Sequence, residues 1–431
     1  MKWRSTAGKA APVDFETALF EGLAPDGGLY FPERWPAVSG LVGGDAPRRT
    51  PGETAHLVMR EFVTDIPDAD LAALCAEALD FEIPLVEPEP GLRILELFHG
   101  PTHAFKDVGA RFMARLMGWY LQRAADPITI LVATSGDTGS AVAHAFLGVP
   151  GTRVVILYPD GKVSPLQEKQ FTTLGENVTA LAVNGTFDDC QRMAKETFAD
   201  GDLRSRVRLT SANSINVGRL LPQSVYYVHA AARCDGSAPR FCTPSGNFGN
   251  LCAGLIAQRM GLETAGFVAA TNANAVVPEY LESGIFQPRP SVETISNAMD
   301  VGDPSNFSRI LDLYQGDADA LRRDVTGTFV TDAETRDAIR EVHSRTGYIM
   351  DPHTAVGYVG LRNVERRAGG TDPGPDVLLA TAHPAKFREH VEPVIGEAVP
   401  LPPALEACLE RETLAEKIGP DAAAVRDALL R

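Results

Sequence analysis

Lys106 is the side chain whose setting most suggests chemistry. It follows Phe105 at the start of a helical pattern in HGPTHAFKDVGARFM (99–113), after a Gly100-Pro101-Thr102 turn. Burial beside aromatic and apolar groups disfavours the ammonium form, leaving an amine able to form a Schiff base with a carbonyl. The same position would also suit a solvated helix-start lysine or a partner of Asp107. A second segment, TPSGNFGN (243–250), ends a strand and runs through Gly246, Asn247, Phe248, Gly249 and Asn250 into a helix. Glycines let the backbone approach closely, and turn N–H groups with a helix N-terminus attract a phosphate. An ordinary βα turn would read alike. The third, SGDTGSA (135–141), again sets glycines between a strand and a helix, which suits a carboxylate or a plain turn.

The elements that must hold these residues repeat one theme from about 83 to 382. Short apolar runs at 128–134, 153–159, 178–184, 240–244, 265–271 and 376–382 predict strands. Helical patterns are expected at 138–147, 186–199, 215–232, 249–260 and 331–346. The strand runs do not alternate in polarity, so both faces should be buried: an α/β fold of mainly parallel sheets covered by helices. The first 80 residues read as helices joined by Pro/Gly-rich turns. The expected division is an amino-terminal helical domain (1–82), a catalytic region (83–390) with a smaller subdomain embedded at about 107–210, and a polar helical extension (391–431).

Composition narrows the classes. The 431 residues carry a formal charge of -16, which argues against a general nucleic-acid or anionic-membrane surface. Six scattered cysteines without a CxxC pair fit neither a disulfide framework nor a zinc site, and suit a reducing compartment. No secretory signal or membrane-spanning run is visible, so a soluble, cytoplasmic protein is expected. GxGxxG, GxxxxGK[ST], HExxH and GxSxG are absent, and the nine histidines do not cluster as metal ligands.

Taken jointly, the lysine motif and the glycine turns, in this order and spacing, resemble pyridoxal-phosphate (PLP) enzymes of fold type II, the tryptophan-synthase-β-like group. Within that group the chain is similar to the threonine synthases. HGPTHAFKDVG, SGDTGSA, SANSIN (211–216), NAMDVGDPSNF (297–307), DPHTAVG (351–357) and TAHPAKF (381–387) look like that family's pieces, and GLAPDGGLYFP (22–32) like its amino-terminal signature. The family's STRG reads STAGKA here (5–10), which bears on an amino-terminal arginine and not on the cofactor site.

The resemblance implies that Lys106 carries pyridoxal 5'-phosphate, that residues 246–250 hold its phosphate, and that Thr381 bonds its pyridine nitrogen. It places Ser135, Gly136, Asp137 and Thr138 at the substrate carboxylate, with Asp137 also by the cofactor ring. Asn213, Ser214 and Arg219 match positions that meet a substrate phosphate, with His383 and Lys386 as nearby candidates. The implied reaction is β,γ-elimination and replacement, O-phospho-L-homoserine and water giving L-threonine and phosphate. A threonine/serine dehydratase, or a phospholyase giving 2-oxobutyrate, would share the fold. A non-catalytic anion-binding α/β protein would share the turns. The expected partner is this small molecule, with no nucleic acid, membrane or metal, in a monomer or homodimer.

Overall fold

The structure is a computed structural model that describes every residue except 39, 124–125 and 368–373. Its contacts group the chain into two compact units. The first comprises Met1, Phe31–Phe105 and Leu220–Pro400; the second comprises Lys2–Tyr30, Lys106–Arg219 and Leu401–Arg431. Residues 2–30 and 401–431 thus both group with 106–219.

The first unit is built on a six-stranded sheet in the order Val325–Phe329, Phe267–Thr271, Arg240–Pro244, Asp376–Ala380, Leu92–Glu96, Leu85–Glu89. Its pairings are parallel except for the terminal hairpin of Leu85–Glu89 with Leu92–Glu96. The inner strands Arg240–Pro244 and Phe267–Thr271 are buried at every residue, as unalternating apolar runs require. Helix Pro352–Arg367 lies on these strands through two glycines. A Cβ at Gly357 would come within 2.5 Å of Leu378, and one at Gly360 within 2.7 Å of Ala270.

The second unit holds an all-parallel five-stranded sheet, ordered Glu416–Ile418, Val178–Val183, Thr152–Pro159, Ile128–Ala133, Leu209–Thr210. Helices Lys106–Leu121, Asp137–Phe146 and Phe187–Ala199 belong to it.

All six expected strands form, with ends within two residues of the predicted ones. The helix expected at 215–232 is broken into Val217–Leu220, a 3-10 turn Leu221–Gln223 and Ser224–Ala231. Pro222 sits at that break, and it lacks the N–H that a continuous helix needs. The amino-terminal stretch is not helical throughout: Trp3 bridges Val13, and Thr6 N donates to Leu29 O. The carboxy-terminal stretch is more than a polar helical extension. Glu416–Ile418 adds a strand to the sheet, and Val425, Ala428 and Leu429 are buried with Val155 and Leu181. Strand Val325–Phe329 escaped the sequence reading because it lies at a sheet edge, with Thr326 and Phe329 exposed. Among the described residues no helix is long and apolar enough to cross a membrane.

Candidate active site

In the second unit Lys106 is the first residue of helix Lys106–Leu121. Its side chain is only 17% exposed, and its Nζ lies 3.9 Å from Asp137 Oδ2. Asp137 opens helix Asp137–Phe146 and is buried; its other oxygen accepts from Gln167 Nε2 at 2.7 Å. The carboxylate is thus fixed on one side and presented to the lysine on the other. The SGDTG turn is laced by Thr134, whose Oγ1 accepts from Gly136 N (3.0 Å) and Gly139 N (2.9 Å). Ser135 and Thr138 stand half-buried on the same turn.

Gly136 has φ +146°, and a Cβ there would meet the Gln167 amide at 2.8 Å. Gly136→Ala should therefore cost about 1–3 kcal/mol of backbone strain and displace the group that fixes Asp137. Chemical denaturation of the variant checks the first effect. A loss below about 0.5 kcal/mol, small against that strain, would contradict it.

The SANSIN loop is anchored by Asn216, which donates to Leu19 O (2.8 Å) and Ser211 O (3.0 Å) and accepts from Gly218 N (2.8 Å). Asn213 and Ser214 are half-buried above it, and the Asn213 Oδ1 is a buried acceptor with no hydrogen-bond partner. Arg219 is not on the surface. It is 3% exposed, its Nη1 donates to Ala212 O, and Asp107, buried beside Lys106, is its electrostatic partner. Burial pushes its pKa down to about 10, against the pull of Asp107. The Arg219 carbonyl rests on Gly109, where a Cβ would be 2.5 Å away. Lys106 and Asp107 thus engage Asp137 and Arg219 respectively.

The first unit carries the other expected residues. After strand Arg240–Pro244 the chain turns through 245–248, with Phe248 left-handed at φ +59°, into helix Gly249–Arg259. The first N–H groups of a helix have no acceptor within it, and they end beside this turn. Asn250 is 6% exposed, and its Oδ1 accepts from the hydroxyls of Tyr226 (2.6 Å) and Tyr227 (2.8 Å). That fixes the amide's orientation and leaves its Nδ2 a buried donor without a partner. Asn247 Oδ1 accepts from Ser305 N at 2.6 Å, and Gly246 abuts the backbone of Met299.

Thr381, buried just past strand Asp376–Ala380, gives its carbonyl to Phe105 N at 2.8 Å. Phe105 is the residue before Lys106. An Ala104–Ala382 bridge and a bond from His383 N to His103 O (3.1 Å) continue the contact. His383 Nδ1 caps the turn Pro384–Phe387, and the buried Lys386 donates to Thr102 O at 2.8 Å. Burial lowers His383 and His103 to about 4 each, so both rings are neutral at pH 7.

One group had no local signal in the sequence: Gln167, thirty positions from Asp137. Tyr226 and Tyr227 did have one. Two adjacent phenol hydroxyls must find partners when buried.

Residues 84–381 match the model of the pyridoxal-phosphate dependent enzymes, 2–79 that of the threonine synthase N terminus, and 354–429 that of the threonine synthase C-terminal region. The threonine synthase of Haemophilus influenzae is 43% identical over 423 residues, 97% of each chain. The chain belongs to the threonine synthase family. The crystal structure of threonine synthase from Escherichia coli superposes with a TM-score of 0.91 at 39% identity, covering 100% of this chain and 99% of that one. The PLP-bound threonine synthase from Brucella melitensis gives 0.91 at 36% identity, covering 100% and 98%.

As a member of the family the chain is a PLP-dependent enzyme of fold type II, and its residues fit the group. Asn250 Nδ2, at the start of an 11-residue helix, is a buried donor without a hydrogen-bond partner, of the kind an anion suits, and Lys106 is a half-buried amine.

Proposed function

We propose that the protein converts O-phospho-L-homoserine and water to L-threonine and phosphate, as a cytoplasmic monomer or homodimer. The observation that carries the reading is the Lys106–Asp137 pair, each residue at the start of its own helix, in the same unit as the buried Arg219 charge. PLP, when bound, supplies the electron sink that acidifies the C–H bond next to the substrate amino group. Lys106 both anchors that group and moves the proton at Cα, taking it early and returning it last. Asp137 orients the amine, and with Ser135, Gly136 and Thr138 it frames the substrate carboxylate.

Asn213 and Ser214 meet the substrate phosphate. Arg219 stands behind them, supplying positive charge and holding the loop through Ala212. His383 and Lys386 contribute as a neutral ring and a cation tied to Thr102. Residues 246–250 take the cofactor phosphate. Thr381 offers a hydroxyl to the pyridine nitrogen, which, unlike a carboxylate, does not keep that nitrogen protonated. The protein's own groups then carry more of the charge stabilisation.

The test is to supply O-phospho-L-homoserine and assay threonine, 2-oxobutyrate and phosphate together. Threonine and phosphate should appear in equal amounts, with little 2-oxobutyrate. Mostly 2-oxobutyrate would mean a dehydratase or phospholyase, and no turnover without a Schiff-base absorbance band would mean an anion-binding protein.

A further inference from the structure

Two of the quoted segments, NAMDVGDPSNF and DPHTAVG, have no role in the reaction as described, yet they meet in the first unit directly behind the glycine turn. A Cβ on Gly246 would lie 2.7 Å from Met299 Cα and 2.9 Å from Ala298 O, so the backbone of 298–299 is the back wall of that turn. This wall is held by a side chain. Ala298 N donates to His353 Nε2 at 3.2 Å. A ring nitrogen that accepts carries no proton, so the His353 proton is on Nδ1, which faces Asp351 Oδ1 at 2.7 Å.

Asp351 is held in turn. Its Oδ1 also accepts from His353 N at 2.9 Å, and its Oδ2 accepts from Thr354 N and the Thr354 hydroxyl. His353 is 3% exposed and Asp351 1%, so water does not compete for these bonds. Further along the segment, Asp300 is fixed by Asn272 Nδ2 (2.8 Å), Thr294 Oγ1 (2.8 Å) and Thr294 N (3.0 Å), and Ser305 N binds Asn247 of the turn itself. The segment is therefore pinned at 298, 300 and 305, and His353 holds the residues that abut Gly246.

We propose that His353, with its tautomer fixed by Asp351, is a positioning residue for the cofactor phosphate: it holds Ala298–Met299 against Gly246 and so sets the geometry of the 246–250 turn. This rests on the reading of that turn given above. A site of this kind needs a supporting shell, because a turn that must present several N–H groups to one anion loses them together if its wall moves.

His353→Asn and His353→Gln separate the role from mere packing. Asn keeps a group near Nδ1 but cannot reach Ala298, whereas Gln can place a carbonyl near the Nε2 position. PLP dissociation from each holoenzyme, the 31P resonance of the bound cofactor and Tm are measured. His353→Asn should weaken PLP about tenfold, the worth of one hydrogen bond, and shift or broaden the 31P line. His353→Gln should stay within about threefold of wild type, since its acceptor is retained. Unchanged PLP retention and 31P line in His353→Asn would overturn the proposal, as would equal defects in the two variants. Should His353→Asn not fold, Asp351→Asn, which still caps the helix, is read the same way. Unfolding of that variant too would assign the pair to global stability and overturn the proposal. Failure of the underlying reading shows separately, as wild-type protein whose bound phosphate gives the 31P line of free PLP.

Discussion

Lys106→Ala removes the covalent cofactor and lowers turnover by about a thousandfold or more, within the range a positioned acid–base group supplies. No other lysine can take over. The next in sequence, Lys162, is on an exposed turn, and the buried Lys386 is tied to the Thr102 carbonyl. The substitution leaves Asp137 its bond from Gln167, and alanine is well suited to a helix start, so the fold should survive. Circular dichroism confirms that first; borohydride reduction followed by mass spectrometry then looks for a PLP adduct. Trapping at the wild-type level would remove Lys106 from the chemistry altogether.

Arg219→Ala should produce two separable losses. Taking away the charge behind Asn213 and Ser214 costs about 2–4 kcal/mol of transition-state binding, roughly thirty- to a thousandfold in kcat/KM for O-phospho-L-homoserine. It also leaves Asp107, 1% exposed, without its buried electrostatic partner. Losing that charge should also lower the stability of the fold. Arg219→Lys keeps the charge but not the planar guanidinium that places Nη1 on the Ala212 carbonyl, so it should recover much of the stability and less of the activity. PLP affinity should hardly move in either variant, since the cofactor phosphate is assigned to the 246–250 turn. Urea denaturation, PLP titration and steady-state kinetics on the same preparations distinguish these effects. A kcat/KM within about twofold of wild type, or less than ~0.5 kcal/mol, would show that the loop recognises phosphate without Arg219.

What could be read in the sequence was what local chemistry writes there. Strands buried on both faces leave unbroken apolar runs, so six were placed within two residues; glycines at Gly136 and Gly246 announce turns that a Cβ would obstruct. Lys106 stood out by its position after Phe105. What stayed hidden depends on residues far apart in the chain. Arg219 looks like any surface arginine until Asp107 and Ala212 are seen around it. Nothing in DPHTAVG says that its histidine reaches Ala298, 55 positions earlier. The polar composition of 401–431 hid the strand Glu416–Ile418, because an exposed edge strand needs few apolar residues.

That last strand carries a consequence in time. Glu416–Ile418 pairs with Val178–Val183, about 230 residues earlier. At a ribosomal rate of roughly 5–20 residues per second, one edge of the newborn sheet waits about 10–50 s for its neighbour. Throughout that interval the edge at Leu181–Val183 is open to any extended segment, including one from another copy of the chain. The hazard lies in the order of synthesis rather than in the finished molecule.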